Sequence, residues 1–190
     1  VIDTGIDKTH PVLQGKVIAE RDFSNSGTAD DTNGHGTHVA GIIAGTTANG
    51  GLYSGVAPGA QLINARVIGD DGKGSNTNII AAMAWAADNG AKVISMSLGA
   101  PASLDQALEE AIQQVVDQGI TVVVSSGNCG EGCPSSNCNS FRGVTSPGSS
   151  PSAITVGAVD KDLQVTCFSS GENIPGIGIK PDIVAPGKNI

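Results

Sequence analysis

Asn33-Gly34-His35-Gly36-Thr37-His38-Val39-Ala40-Gly41 places a histidine between two glycines, where a polar loop (Asp30, Asp31, Thr32, Asn33) gives way to small and apolar residues. That pattern predicts a helix starting at the histidine. Without Cβ atoms at Gly34 and Gly36 the backbone bends sharply there and lets another segment approach the imidazole. The positive end of the helix dipole opposes a second positive charge, so the neutral imidazole that a general base needs is expected.

A second stretch gives His35 a partner. Val1-Ile2-Asp3-Thr4-Gly5-Ile6-Asp7 reads as a short strand that delivers Asp3 at its carboxyl end, where open α/β sheets place their active sites. A carboxylate ahead of a histidine suits the pairing that orients an imidazole and stabilises its charged form. His35 and His38 also share a helix face, but no third metal ligand stands near them and no HExxH is present. Asp3-Thr4-Gly5 matches the signature of aspartic proteases as well, a chemistry that needs two such carboxylates; the chain has one.

Three further stretches follow in order: Ser95 to Gly99 (SMSLG), Ser125 to Asn128 (SSGN) and Lys180 to Gly187 (KPDIVAPG). With the first two, these resemble the subtilisin-like serine proteases over nearly the whole chain. The resemblance implies Asp3 as triad acid, His35 as triad base and Asn128 as side-chain donor to the oxyanion. It implies that the backbone of Gly72, Lys73 and Gly74 pairs with an extended substrate. The loops Ser97-Leu98-Gly99 and Ser126-Gly127 are expected to wall the pocket for the side chain preceding the cut bond. Their small, uncharged residues suit apolar or broad specificity. Asn76 and Ile79 fall where relatives shape a second pocket, and Asn76 departs from the aromatic residue common there.

The family's nucleophile sits in a GTSMA-type motif beyond the segment matched by KPDIVAPG, and no Gly-Thr-Ser occurs here. The expectation is therefore an internal part of a peptidase domain, spanning 1–190, whose serine lies outside it. Residues 1–190 alone are expected to turn over no substrate. A parent chain lacking the serine would instead be a noncatalytic peptide-binding pseudoprotease.

Composition sets the remaining bounds. The 190 residues suffice for one domain, and 39% hydrophobic with 15% charged residues indicate a globular chain. Net charge is −8 without a Lys/Arg cluster, which argues against nucleic acid. The longest aliphatic run, Ile120 to Val124, is too short to cross a bilayer. The four cysteines, Cys129, Cys133, Cys138 and Cys167, suit two disulfides in any of three pairings; zinc lacks the usual CxxC pairs, and free thiols complete the alternatives.

The resemblance also implies protein or peptide substrates, no cofactor for catalysis, a propeptide in the full precursor, secretion, a monomer and no membrane partner. Relatives bind structural calcium. Asp22, Asp30 and Asp31 offer oxygens for it, although a solvated acidic loop accounts for them equally. A second calcium loop has its counterpart at Gly45 to Ser54, with few side-chain oxygens and Val12 in place of a carboxylate, so that site is expected to be weakened or absent.

Strand, helix, strand, helix and strand alternate along the chain. This predicts an α/β fold of three layers, a doubly wound, mainly parallel sheet with helices on both faces, incomplete at both ends. Helices are expected over Thr77 to Asn89 and from Ser103-Leu104 onward. In the latter, Leu104, Ala107, Leu108, Ala111, Ile112, Val115 and Val116 recur at helical spacing and Ser103 with Gln106 forms a capping box.

Overall fold

Each predicted strand is a short β-branched run that ends at a glycine, serine or acidic loop, and each predicted helix a longer stretch of small apolar residues. The computed structural model, which describes residues 1–47, 52–101 and 105–190, follows that plan. It contains two compact units, Val1–Ile94 and Ser95–Ile190.

In the first unit, β1 (Ile2–Asp3) and β2 (Val17–Asp22) both pair parallel with β3 (Leu62–Arg66), which lies between them. The register sets Asp3 beside Arg66 at the carboxyl ends. Helix α1 (His35–Ala44) starts at the predicted histidine and buries Ala40 and Ala44 against Ile6, Leu13 and Leu62. Small residues on this face let α1 lie close to the strands. Helix α2 (Asn76–Asp88) packs on β1 and β3. Its N-cap Ser75 accepts from the backbone N–H of Asn78 at 3.2 Å, which satisfies a donor the helix leaves free.

In the second sheet β4 (Val93–Met96) lies next to β5 (Thr121–Ser125), followed by β6 (Ile154–Val159) and β9 (Ile183–Pro186); β5, β6 and β9 run parallel. Helix α3 (Gln106–Asp117) buries Leu108, Ile112 and Val115 as its spacing predicts and packs on β5, whereas Ala107 is exposed. Its N-cap is Asp105, whose carboxylate accepts from the N–H of Leu108 at 3.0 Å; Ser103 and Leu104 lie outside the described residues. An antiparallel hairpin, β7 (Glu172–Ile174) and β8 (Gly178–Lys180), follows Cys167 and ends on the first residue of KPDIVAPG, where the sequence suggests no element. Its strands have three residues each, too few for a periodicity to show.

Candidate active site

The close approach at the start of α1 follows from glycine. A Cβ on Gly36 would stand 2.1 Å from the carbonyl oxygen of Gly5 and 3.2 Å from Cβ of Asp3. Only a bare backbone lets the first helical turn reach the end of β1, and that contact brings the imidazole to the carboxylate. His35 Nδ1 and Asp3 Oδ1 are 2.6 Å apart. An ionised carboxylate only accepts, so Nδ1 carries the hydrogen and Nε2 keeps a free lone pair. Asp3 is 1% exposed and the His35 side chain 49%, so the pair has a buried carboxylate and an accessible base.

Asp3 Oδ1 also accepts from the N–H of Thr4 at 2.7 Å, while Oδ2 is buried and has no hydrogen-bond partner among the described residues. A buried carboxylate with one oxygen unsatisfied gains more from a neighbouring positive charge than a solvated one does. The helix dipole is accordingly not the dominant influence on the imidazole. The hydrogen bond to Asp3 raises the His35 pKa above its usual value against the opposing effect of burial, and the charges of Asp3 and Asp31 add to the rise. An adjacent carboxylate outweighs the half charge of a helix end.

Arg66 is the largest fully buried side chain and orders the loop that precedes α1. Its guanidinium donates to the carbonyls of Thr28 (3.3 Å), Asp30 (2.8 Å) and Ile68 (3.3 Å), to Thr32 Oγ1 (3.1 Å) and to Asp70 Oδ1 (2.7 Å). The loop is therefore a wrapped structure and not a freely solvated one. Asp31 Oδ1 accepts from Thr4 Oγ1, Asn33 N and Gly34 N, and its Oδ2 from Thr37 N and Thr37 Oγ1.

Those bonds bear on calcium. Asp22 is likewise engaged, Oδ1 with Ser24 and Oδ2 with the N–H of Gly27, and Asp30 takes Thr28 and faces Lys8. Protein donors thus engage the oxygens of Asp22 and Asp31, whereas Asp30 keeps an exposed carboxylate. At the second calcium loop, Val12 O accepts from Thr46 N and Oγ1, and Val12, Thr46, Tyr53 and Ile42 line a cavity of about 430 Å³ without a carboxylate. Residues 48–51 of that loop lie outside the described residues.

Among the predicted substrate-binding residues of this unit, Gly72, Lys73 and Gly74 form an exposed turn. Lys73 uses both its backbone groups inside the loop, its N–H on Asp71 Oδ1 and its carbonyl on Gly69 N, and Gly72 N–H donates to Gly69 O. The Gly72 carbonyl and the backbone of Gly74 make no such bond among the described residues, so the groups left open in this stretch are fewer than the three residues offer.

In the second unit Asn128 is exposed at the end of β5, and its carbonyl accepts from Ser135 N at 2.9 Å. The next residue starts a cross-linked loop. Disulfides join Cys129 to Cys138 and Cys133 to Cys167, one of the three pairings open to the sequence. Backbone bonds from Gly130 to Phe168, Cys133 to Cys167 and Ser170 to Gly127, with Cys129 N on Ser170 Oγ, zip the loop to the turn that carries the last cysteine.

Gly99 and Gly127 both press on Thr145: a Cβ at either would fall 2.5 Å from Thr145 Oγ1. Thr145 is buried and bonds to the Ser126 carbonyl. Ser97 and Leu98 are half-buried, with the Leu98 carbonyl accepting from Ser125 Oγ. Sequence reasoning did not find Thr145. Its one signal is the cluster of small residues on either side of Ser146-Pro147-Gly148, which has no periodicity.

Set beside known proteins, the chain matches the family model described as the subtilase family, peptidase S8, over residues 1–190. It is 39% identical over 191 residues to the thermophilic serine proteinase of Bacillus sp. (strain AK1), covering 100% of this chain and 43% of that protein. It is 37% identical over 196 residues to the major intracellular serine protease of Bacillus subtilis (strain 168), covering 100% of this chain and 57% of that one. With Subtilisin Savinase of Lederbergia lenta the identity is 39% over 190 residues, covering 100% and 63%. The chain thus spans about half the length of the curated relatives it matches. Among solved structures, Sphericase superposes with a TM-score of 0.78 at 30% identity, over 98% of this chain and 66% of that one. A family model that fits from Val1 to Ile190, on a backbone that superposes on a subtilisin-type fold, means that the chain belongs to the subtilase family.

Proposed function

We propose that residues 1–190 carry the acid–base part of a serine endopeptidase centre, with the nucleophilic serine supplied by sequence outside them. The observation that carries this reading is the 2.6 Å contact of His35 Nδ1 with buried Asp3, which leaves Nε2 free to take a proton. In the reaction, His35 Nε2 accepts the serine proton as Oγ attacks a peptide carbonyl. Asp3 holds the tautomer and stabilises the imidazolium. The Asn128 side chain donates to the oxyanion of the tetrahedral intermediate, together with a backbone amide. His35 then returns the proton to the leaving amine, and a water molecule activated by the same base releases the acyl group.

Protein substrates pair their backbone with the Gly72 carbonyl and Gly74 as an added strand. The side chain before the cut bond meets uncharged walls at Ser97, Leu98, Gly99, Ser126 and Gly127, which suits apolar residues. Two disulfides support an oxidising compartment and hence secretion, although relatives include an intracellular enzyme. A monomer made as a precursor with a propeptide completes the reading. Against the aspartic-protease alternative, the side chain bonded to Asp3 among the described residues is an imidazole, not a second carboxylate.

A fluorophosphonate probe on the full-length parent protein tests this. Labelling is expected with the wild type and is expected to vanish with His35→Ala; equal labelling of the two would remove His35 from the mechanism. A wild type that stays unlabelled yet binds peptides would mark a noncatalytic relative.

A further inference from the structure

The cap position of α1 is Gly34, which has no side chain to satisfy the first backbone donors of the helix. Those donors are met from elsewhere. Gly36 N–H donates to Thr4 Oγ1 at 2.9 Å and Thr37 N–H to Asp31 Oδ2 at 2.9 Å. Asp31 takes five hydrogen bonds in all: on Oδ1 from Thr4 Oγ1 (2.9 Å), Asn33 N (3.0 Å) and Gly34 N (2.9 Å), and on Oδ2 from Thr37 N and Thr37 Oγ1 (2.6 Å). One carboxylate thereby grips the residue after Asp3, the two residues before His35 and a residue of the first turn after it. Thr37 Oγ1 also accepts from Asp7 N, which fastens the turn to the segment beyond β1.

We propose that Asp31 is a positioning residue for His35: its carboxylate locks the first turn of α1 to the end of β1 and so holds the imidazole on Asp3. The inference rests on reading Asp3 and His35 as the acid–base pair. Two features set it apart from an ordinary helix cap. The five donors converge from both sides of His35, so loss of the anchor frees the backbone that aims the ring. A carboxylate is also needed at this point, because an amide presents one acceptor oxygen and would turn its own N–H₂ toward either the Thr37 or the Asn33 and Gly34 donors.

Burial opposes the charge of Asp31, but the bonds from Thr37, Gly34 and Asn33 outweigh it and hold its pKa below the ordinary carboxylate value. It is therefore ionised at neutral pH and adds a second negative charge to the surroundings of His35. The groups acting on the ring are Asp3 from β1 and Asp31 from the loop; His38 lies one turn further along α1.

The test is Asp31→Asn in the full-length parent protein, with Thr37→Val as a milder second variant that removes one of the five donors together with the acceptor of Asp7 N. Three readouts are taken: kcat against KM, the acid limb of the kcat/KM profile, and the downfield proton resonance of the His35 Nδ1–H···Asp3 bond. Asp31→Asn is expected to lower kcat by about tenfold to 10²-fold with KM nearly unchanged, as small misplacements of a catalytic group do. The acid limb moves to lower pH, because a negative charge that favours the imidazolium is gone, and the resonance broadens or disappears. Thr37→Val shifts the first and third readouts in the same direction by less. A folded Asp31→Asn or Thr37→Val protein that melts lower but keeps the resonance, the acid limb and kcat would reduce Asp31 to a helix cap and overturn the proposal. Should His35→Ala leave activity intact, the peptidase reading fails, whereas the resonance still decides what Asp31 does.

Discussion

The strand end that carries Asp3 and the loop that follows Asn128 are both irregular, yet they are held by opposite means. Around Asp3 and His35 the chain uses no covalent link; Asp31 and Arg66 collect backbone donors and carbonyls into a saturated network. After Asn128 the chain has a single 3-10 turn, Ser136–Cys138, and few apolar side chains, and two disulfides fix it. A segment next to a helix and a sheet offers many polar groups to satisfy, so carboxylates order it. A long loop with little to bury loses too much entropy on ordering, and cross-links offset that by restricting the unfolded chain.

The sharpest way to break the comparison is chemical. In the full-length parent protein, Asp3→Asn is expected to cost about 3 × 10⁴-fold in kcat, the scale subtilisin itself shows for its triad carboxylate. Asn128→Ala is expected to cost about 10²–10³-fold with little change in KM, again subtilisin's own figure for its oxyanion asparagine. Steady-state kinetics that rank the two losses the other way would remove the assigned roles.

Reduction probes the second region alone. In the chain-entropy account, losing Cys133–Cys167, with a sequence separation of 34, costs about 4 kcal/mol, and losing Cys129–Cys138, separated by 9, about 3 kcal/mol. Melting with and without reductant, and of the paired Cys→Ser variants, measures this. The Nδ1–H resonance of His35 is expected to survive reduction, since its network contains no sulfur; its loss would show that the two regions depend on each other.

The smallest effect separates them by pH. His35 has a raised pKa, so its charged pairing with Asp3 stabilises the fold fully below about pH 6.5, the unfolded value, and that contribution fades as pH rises through the folded value. Base activity appears over the same interval, because it needs the neutral ring. The carboxylates Asp22, Asp31 and Asp182 have depressed pKa values and act the opposite way, their stabilisation being lost as pH falls through the folded values. Melting and kcat/KM across one pH series are expected to trend oppositely above pH 6.5; parallel trends would mean that His35 is not the titrating base.

Much of the fold was legible in the sequence. The strand end at Asp3, the helix start at His35 and the buried face Leu108, Ile112 and Val115 are all products of two periodicities and a few turn residues. At the start of α3 the described cap is Asp105, which the sequence pattern does not single out because its side chain is recognised as a cap only through its bond to Leu108 N. Asp31 looked like a calcium oxygen or a solvated charge, since capping rules examine the residue beside the helix and Asp31 stands three before Gly34. Thr145 was invisible because its neighbours Gly99 and Gly127 are distant in sequence.

The sequence by itself determined which residue types stand at the ends of strands and at the head of α1, because backbone preferences and glycine sterics act within a turn or two. Tertiary structure alone decided that Cys129 joins Cys138, that Asp31 serves the helix of His35 and that the imidazole gains basicity where its own helix would lower it. Each of those outcomes depends on charges or atoms brought to within about 3 Å by chain that is remote or off the periodic pattern, where hydrogen bonding and Coulomb energy exceed any local preference.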